Sequence, residues 1–293
     1  MASRILVVGG TGLVGGALLR AWRALGADVS ATSRRGFGAG DFSALDMTDP
    51  DSIRRTLTER RPDVVAVPAA DPYVDGCERE PEKTRRVNVL GTLNVARACR
   101  ESGARMIFFS SDYVFDGAKG FYTEDDPPSP INEYGRQKAE TERGVLSESS
   151  RNLVIRTSGV YGWQSEPKNF VLQVRARLSA GQEMRVAGDV RYNPTFCDDL
   201  AEITASLAAS GEAGVFHVVG ADRISRAEFA ARAARAFGLD DRLIRPVSSA
   251  EFGSIAPRPK ESSLRTDKVR AAVGAAPIGV DAGLGRMRAM APG

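Results

Sequence analysis

Two side chains that could transfer a proton are spaced one helical turn apart. Tyr134 and Lys138 are separated by four positions in a stretch of helical character, so the phenol and the ammonium share one helix face. Ser110 and Ser111 follow a β-rich run at 106–109, and doubly wound sheets bind ligands at the carboxyl ends of their strands. We therefore expect Ser111, Tyr134 and Lys138 to converge as a catalytic trio.

These three groups suit the reduction of a carbonyl group. The Lys138 ammonium favours the phenolate, so it is expected to lower the pKa of Tyr134 toward neutral pH, as a general acid requires. The Ser111 hydroxyl would bind the carbonyl oxygen, and a nicotinamide coenzyme would supply the hydride. The alternative is a surface lysine whose stem packs against a tyrosine.

A glycine-rich loop precedes this region and connects the first predicted strand to the first predicted helix. The sequence there has the pattern G-x-x-G-x-x-G at Gly9, Gly12 and Gly15, with Thr11 and Leu13 between them. Such glycines allow a tight turn and let the backbone approach a pyrophosphate at a helix N-terminus. The pattern favours dinucleotide binding over a plain tight turn.

The end of the second predicted strand indicates which nicotinamide coenzyme binds. Ser33, Arg34 and Arg35 stand there without a carboxylate, and a guanidinium suits a 2′-phosphate, so we expect NADP(H). The alternative is a pair of solvated arginines. Asp46, beside Met47, is expected at the adenine, with a turn-forming or helix-capping role as the alternative.

Short β-rich runs alternate with helical patterns along most of the chain. This alternation predicts an α/β fold, a Rossmann-type doubly wound parallel sheet with a small C-terminal substrate lobe. The rhythm loosens at 163–195 and 221–293, which we expect to be largely irregular, although the helix–strand pattern resumes over 196–219. We expect an NADP(H)-binding domain over 1–162 plus 190–220, and a substrate-binding lobe over 163–189 plus 221–293.

Composition excludes several classes of protein. The 293 residues are 42% hydrophobic and 26% charged with a net charge of +3, which is ordinary globular composition with mixed surface charge. We expect no nucleic-acid partner. No apolar run approaches the roughly 20 residues that span a bilayer, so we expect no membrane partner. Cys77, Cys99 and Cys197 lie far apart, which favours a reducing, cytoplasmic location without disulfides.

The remaining polar clusters are expected to be structural. His217 is the sole histidine and lies in a β-rich run, so we expect a structural role for it. The acidic run 124–126 is interpreted as a solvated turn rather than a metal site, and no bound metal is expected. Asp198 and Asp199 are expected to cap a helix that begins near Leu200.

Together these motifs resemble the extended short-chain dehydrogenase/reductase superfamily, and within it the dTDP-4-dehydrorhamnose reductase group. The resemblance runs from Gly9 to about Gly220, and the segment from Ser111 to Gly117 is its most specific part. The other matching stretches are the glycine loop, Ala69-Ala70, Val74-Asp75 with Glu78, 88–92, 122–125, 134–138, 156–158, 160–162, Asn169-Phe170 and Pro194-Thr195.

The resemblance implies an NADPH-dependent ketoreductase that acts on a 4-keto-deoxysugar nucleotide. It implies Ser111, Tyr134 and Lys138 as the catalytic residues, with Tyr134 as the general acid. Further implied site residues are Ala69, Ala70 and Asn88 beside the cofactor, and Asp112, Tyr113 and Asn169 beside the sugar.

Four positions depart from the group. Ser111 replaces the usual threonine and keeps its hydroxyl, while Val67-Pro68 replaces Asn-Ala beside the cofactor. Gly159 replaces a tryptophan that would line the sugar pocket. Whether Trp163, four positions later, takes the place of that tryptophan is left open by the sequence.

Two other functions stay open. The resemblance extends to a regulatory relative, the β subunit of methionine adenosyltransferase, which binds the nucleotide and acts through a partner. It extends also to nucleotide-sugar epimerases. The oligomeric state is open as well, with a homodimer among the alternatives.

Overall fold

The computed structural model describes residues 3–34, 42–164 and 168–291. Within these ranges the β-strands are β1 (Arg4–Val8), β2 (Asp28–Ser33), β3 (Phe42–Ala44), β4 (Val64–Val67), β5 (Arg105–Ser111), β6 (Leu153–Thr157), β7 (Val160–Tyr161), β8 (Met184–Ala187), β9 (Arg191–Tyr192), β10 (Thr195–Phe196), β11 (Gly214–His217), β12 (Ile224–Ser225) and β13 (Ile244–Val247). The α-helices are α1 (Leu13–Ala24), α2 (Pro50–Arg60), α3 (Val74–Arg79), α4 (Pro81–Arg85), α5 (Thr92–Ser102), α6 (Glu133–Glu148), α7 (Phe170–Ser179), α8 (Cys197–Ala209), α9 (Arg226–Ala236), α10 (Asp267–Val273) and α11 (Val280–Ala289).

A parallel sheet of seven strands forms the centre of the described structure. Its strand order is β11-β6-β5-β4-β1-β2-β3, and every neighbouring pair is parallel. The chain moves outward from β1 on one side through β2 and β3, and on the other side through β4, β5 and β6. This reversal opens a crevice at the carboxyl ends of β1 and β4. The predicted Rossmann-type fold is confirmed.

Both faces of the sheet are buried because side chains alternate along each strand. In β1, Ile5 and Val7 face the core under α1 and α8, whereas Leu6 and Val8 face the core under α2 and α5. Strands covered on both sides have continuous apolar runs, as β1 has at Ile5–Val8 and β5 has at 106–109. The helices that cover the two faces leave the carboxyl edge of the sheet accessible.

The second half of the chain adds three short strand pairs around the carboxyl edge. They are β7 with β10, β9 with β12 and β8 with β13. Helix α9 packs against α7 and α11, and its apolar face joins the core cluster that also contains α1 and α8. These elements bring residues 249–260 close to the end of β5.

The expectation that 163–195 and 221–293 are largely irregular is wrong. These stretches contain α7, α9, α10 and α11. The run Arg226–Ala236 is rich in alanine and arginine, which are strong helix formers, and the Ser225 side chain caps it by accepting a hydrogen bond from the Glu228 N–H.

Two predicted helix boundaries also need correction. The sequence over 77–102 has a helical pattern and predicts one helical stretch there, but the structure contains α3, α4, a π-helical turn at Arg86–Gly91 and α5. Helices α3 and α4 are separate because Glu80 leaves the helical conformation before Pro81. Helix α8 begins at Cys197 with Phe196 as its N-cap, so Asp198 and Asp199 lie in its first turn and do not cap it. Among the described residues no helix combines the length and apolarity needed to cross a bilayer.

Candidate functional site

The glycine loop connects β1 to α1 in a compact turn. The N–H groups of Gly9 and Gly10 both donate to the carbonyl of Thr32, at 3.0 Å each, which ties the loop to β2. Gly9 has φ +94°, and a Cβ added there would lie 2.8 Å from the Ala69 Cβ. A Cβ on Gly15 would overlap the Gly9 carbonyl oxygen, so the turn requires glycine at both positions.

The N-terminus of α1 is open to an anion. Gly12 is the N-cap, no side chain caps the helix, and its first turn holds no acidic residue. Exposed Thr11 and half-buried Leu13 flank Gly12 at the mouth of the loop. Uncapped N–H groups and the positive end of the helix dipole together favour a phosphate group.

Two buried hydroxyls without partners lie at the end of β2. The side-chain oxygens of Thr32 and Ser33 are enclosed, and neither has a hydrogen-bond partner in the described structure. The next residue, Arg34, is exposed, and its charge helps to lower the pKa of Asp46. Unpaired buried hydroxyls beside an arginine fit a phosphorylated ribose. Arg35 lies outside the described residues.

Asp46 adopts the turn-forming role that the sequence left open. Its Oδ1 accepts hydrogen bonds from the Thr48 N–H at 2.8 Å and the Thr48 hydroxyl at 2.7 Å, and these bonds are the main cause of its lowered pKa. Met47 is buried, and its Cβ would lie 3.1 Å from a Cβ added to Gly91. Contact with adenine stays a prediction for both residues.

The loop after β4 faces the glycine loop. Ala69 meets Gly9, and Ala70 follows it. Asn88 fixes the far end of this loop, because its Oδ1 accepts from the Asp71 N–H at 2.8 Å and its Nδ2 donates to the Asp71 carbonyl at 3.1 Å. The same Nδ2 donates to Gln137 on α6 at 2.9 Å. Asn88 thus links the cofactor side of the crevice to the helix that carries Tyr134.

The structure brings Ser111, Tyr134 and Lys138 together. Ser111 ends β5, and its hydroxyl lies close enough to the Tyr134 phenol to favour the ionised form of that phenol. The Lys138 Nζ lies 5.7 Å from the centroid of the Tyr134 ring and donates to the Phe109 carbonyl of β5 at 2.8 Å. A Cβ on Gly135 would overlap the Tyr113 carbonyl oxygen, so glycine allows α6 to approach this closely.

The expectation that the pKa of Tyr134 is lowered toward neutral pH is wrong for this structure. Tyr134 is half-buried, and desolvation of its phenol together with the negative charge of the nearby Asp112 carboxylate raises its pKa above the usual value. Burial also disfavours the charged form of Lys138 and lowers its pKa to about 8. Desolvation is the largest cause of both shifts, and Tyr134 keeps its proton at neutral pH.

Asp112 and Tyr113 directly follow Ser111. Asp112 is buried, and its carboxylate accepts hydrogen bonds from Ser111 at 2.8 Å, Ser158 at 2.7 Å and Ser262 at 2.5 Å. The Tyr113 ring stands edge-on to the Tyr134 ring, with centroids 6.0 Å apart, and desolvation raises the pKa of Tyr113 to about 12. No motif marked Ser158 or Ser262 as functional residues.

A cleft of about 570 Å³ extends from Tyr113 toward the second half of the chain. Its lining includes the cationic side chains of Arg226, Arg258 and Lys260. The Arg226 guanidinium lies 4.1 Å from the centroid of the Phe170 ring, and in the described structure no carboxylate pairs with it. The cleft therefore offers positive charge to a bound molecule near the trio.

The other two cations of the cleft, Arg258 and Lys260, each lie near a carboxylate that partly balances their charge. The Arg258 Nη2 lies 2.9 Å from Asp75, and the Lys260 Nζ lies 3.3 Å from Asp189.

Asn169 makes its hydrogen bonds within the protein. It caps α7 through its Oδ1, and its Nδ2 donates to the Gly162 carbonyl at 2.9 Å. Contact between Asn169 and a sugar stays a prediction.

The space beside Gly159 is filled from another segment. Gly159 has φ +50°, and a Cβ added there would overlap the ring of Tyr192, which is buried. Trp163 instead packs against Arg175, whose guanidinium lies 5.0 Å from the indole. An aromatic residue thus adjoins Gly159, but Tyr192 on β9 supplies it.

The other polar residues singled out from the sequence are engaged within the protein. His217 is fully buried in β11 beside Arg156, and burial lowers its pKa to about 3. Glu124 accepts from the His217 N–H, and Asp126 accepts from Thr123. Across the described ranges no group of three or more His, Cys, Asp or Glu side chains is arranged to hold a metal ion.

A glycine loop between β1 and α1, together with a Ser-Tyr-Lys set at the carboxyl edge of the same sheet, defines an extended short-chain dehydrogenase/reductase. Within that class, the chain belongs to the family described as the RmlD substrate binding domain, which it matches over residues 3–290.

Relatives of known name cover nearly the whole chain. A dTDP-4-dehydrorhamnose reductase from Mycolicibacterium smegmatis is 35% identical over 272 residues, which is 92% of this chain and 80% of that protein. "Methionine adenosyltransferase 2 subunit beta" from Xenopus tropicalis is 30% identical over 279 residues, 91% of this chain and 81% of that protein. The crystal structure of dTDP-4-dehydrorhamnose reductase from Bacillus anthracis in complex with NADP has a TM-score of 0.92 at 28% identity and covers 99% of this chain and 100% of its own.

Proposed function

We propose that the protein is an NADPH-dependent reductase that converts the 4-keto group of a deoxysugar nucleotide into a hydroxyl group. The observation that carries this proposal is the convergence of Ser111, Tyr134 and Lys138 at the carboxyl edge of the sheet, beside the glycine loop. The relative from Mycolicibacterium smegmatis bears the name of this activity, and the solved relative from Bacillus anthracis contains NADP.

The crevice can hold the coenzyme along its length. The loop at Gly9–Gly15 and the open N-terminus of α1 would receive the pyrophosphate. Ser33 and Arg34 would receive the 2′-phosphate together with Arg35, and Asp46 and Met47 would lie near the adenine. Ala69, Ala70 and Asn88 would border the nicotinamide half. When bound, NADPH supplies the hydride.

Tyr134 acts as the general acid. Its raised pKa keeps the proton on the phenol until negative charge develops on the ketone oxygen, which suits the reductive direction. The Ser111 hydroxyl, which lies at the end of β5 and acts on that phenol, would hold the same oxygen. The Lys138 ammonium places positive charge next to Tyr134 when the proton leaves, so it stabilises the phenolate that forms.

The cleft supports an anionic, elongated substrate. Tyr113, which follows buried Asp112, lines the cleft where a sugar ring would meet the trio, and Arg226, Arg258 and Lys260 line it as well. Guanidinium and ammonium groups in the cleft suit the diphosphate of a nucleotide sugar. Asn169 would support this wall from the start of α7.

Three broader properties belong to the same proposal. We propose that 1–162 plus 190–220 bind the coenzyme and that 163–189 plus 221–293 bind the substrate. We place the enzyme in the cytoplasm, a reducing compartment that suits three free, buried cysteines. The oligomeric state is open, with a homodimer among the alternatives.

The decisive experiment follows NADPH absorbance while the purified protein reacts with a panel of dTDP-linked 4-keto sugars. We expect consumption by the wild type and a kcat lower by about 10²- to 10⁴-fold in Tyr134→Phe, with little change in NADPH affinity. Tyr73→Phe is the matched control, since Tyr73 is an exposed tyrosine that does not line the cleft. Tight NADPH binding without turnover of any sugar would favour a regulatory role like that of the methionine adenosyltransferase subunit.

A further inference from the structure

The Asp112 carboxylate accepts hydrogen bonds from hydroxyl groups in three separate parts of the chain. Ser111 donates to its Oδ1, while Ser158, just after β6, and Ser262, in a segment between β13 and α10, both donate to its Oδ2. Asp112 is 4% exposed and Ser158 and Ser262 are each 2% exposed, so the protein rather than water solvates this carboxylate. A buried carboxylate is stabilised only by such donors.

Ser262 belongs to a segment that we term the C-terminal strap, residues 256–265. The strap pairs with residues near β5, because the Tyr122 N–H donates to the Ser263 carbonyl at 2.9 Å and the Arg265 N–H donates to the Tyr122 carbonyl at 2.8 Å. It also pairs with β9, where the Ser262 N–H donates to the Arg191 carbonyl at 3.1 Å. These bonds hold Ser262 at a fixed position beside Asp112.

The same strap forms one wall of the cleft. Arg258 and Lys260 line the cleft, and the Ala256 N–H donates to Asp75 at 3.1 Å. Asn132, the N-cap of α6, donates to the Pro257 carbonyl at 2.9 Å. The strap thus contacts the substrate cleft, the helix that bears Tyr134, and Asp112.

The hydroxyl of Ser111 has one proton to donate. In this structure it donates that proton to Asp112 Oδ1 at 2.8 Å and accepts from the Tyr113 N–H at 3.2 Å. To bind a ketone oxygen as a donor, Ser111 must turn its proton away from Asp112. Asp112 then keeps the two hydrogen bonds from Ser158 and Ser262, so the buried charge stays partnered.

We propose that Asp112 is a positioning residue that accepts the Ser111 hydroxyl before substrate binds and releases it to the ketone oxygen, and that the Ser158 and Ser262 hydroxyls make this release favourable. This inference rests on the proposed ketone reduction and extends it to a residue of the C-terminal strap. Loss of either supporting serine leaves Asp112 more dependent on Ser111, which holds Ser111 away from the substrate.

The test compares Ser262→Ala with Ser263→Ala. Both serines are buried neighbours on the strap, but the Ser263 hydroxyl accepts from the Phe121 N–H and donates to Glu261, away from Asp112. We expect Ser262→Ala and Ser158→Ala to lower kcat by about 10- to 100-fold. We expect the KM for NADPH to stay within a factor of two, and Ser263→Ala to retain the wild-type kcat.

Urea unfolding of all three variants separates a fold defect from a positioning defect. Equal losses of kcat in Ser262→Ala and Ser263→Ala would overturn the inference while leaving the proposed function intact. Crystal structures of the wild type and Ser262→Ala provide a second test that does not depend on catalytic activity. We expect the Asp112 carboxylate to rotate and the Ser111–Asp112 contact to change; an unchanged carboxylate contradicts the inference even if no sugar is reduced.

Discussion

Gly159 and Tyr192 share one space, since a Cβ on Gly159 would overlap the Tyr192 ring. Gly159 follows β6 with φ +50°, and Tyr192 lies on β9, which pairs with β12 through Ile224. The charges that act on the Tyr192 phenol include Arg226, and Asp112 acts on it as well. Tyr192 therefore lies within electrostatic range of Asp112 and of a cation that lines the cleft.

Gly159→Ala should destabilise the protein more than the same substitution at a left-handed glycine where the added Cβ meets no other atoms. Gly181→Ala is the control, because Gly181 has φ +67° and nothing within 4 Å of an added Cβ. We expect about 1 kcal/mol of lost unfolding free energy for Gly181→Ala from left-handed strain, and at least about 2 kcal/mol for Gly159→Ala. Urea denaturation measures both. In a Tyr192→Ala background the two costs should become equal; a persistent difference would refute the overlap.

Lys138 should give activity and stability opposite dependences on pH. Its folded pKa is about 8, below the ordinary value of 10.5. Above pH 8 the folded protein loses the ammonium, so kcat/KM should fall. Between pH 8 and 10.5 the unfolded chain binds the extra proton, so this group makes the unfolding free energy rise with pH across that window.

Lys138→Met isolates this contribution. Between pH 8 and 10.5 the unfolding free energy of the variant should rise less than that of the wild type. Its low activity should not fall further near pH 8. Parallel stability curves for the two proteins across this window would mean that the Lys138 pKa is not lowered.

Arg34→Ala should reduce the preference for NADPH over NADH. A charge-assisted hydrogen bond to phosphate contributes about 1.5–3 kcal/mol, so we expect the KM for NADPH to rise about 10- to 100-fold with the KM for NADH little changed. Arg55→Ala is the control for loss of charge, since Arg55 is an exposed residue of α2. Equal effects on both coenzymes would exclude a 2′-phosphate contact.

Glu142→Gln should strongly destabilise the fold. Glu142 and Arg156 form a buried pair in which both side chains are 4% exposed, and the Arg156 Nη2 lies 2.8 Å from Oε2. Removing one partner leaves a buried charge, at a cost of about 3–5 kcal/mol. Glu140→Gln on the same helix breaks the half-exposed pair with Arg85 and should cost at most about 1 kcal/mol. Thermal and urea unfolding compare the two variants.

The sheet and the trio could be predicted because local patterns determine them. The apolar runs at Ile5–Val8 and Val64–Val67 are long enough to indicate buried strands, and the glycine loop fixes the turn between β1 and α1. In a parallel sheet, the helix that follows a strand packs against the sheet beside that strand, so the end of β5 and the face of α6 that bears Tyr134 lie close together. Ser111 and Tyr134 therefore lie together, although their roles stay predictions.

The rest depends on contacts between distant segments. Nothing near Ser262 in the sequence marks it as a partner of Asp112, because the strap reaches that carboxylate only after the second half of the chain has folded. The pKa of Tyr134 was predicted in the wrong direction because sequence spacing gives the neighbouring charge but not the exclusion of water. Tyr192 lies 33 positions after Gly159, so the overlap of the two was likewise not visible in the sequence.

The C-terminal strap has a consequence for engineering. A designer who exchanges residues 256–265 between homologues to alter substrate choice also replaces Ser262, which donates to Asp112, and the carbonyl that anchors Asn132. Such chimeras should inherit a slower chemical step along with their new selectivity, unless the serine and its backbone register are carried across unchanged.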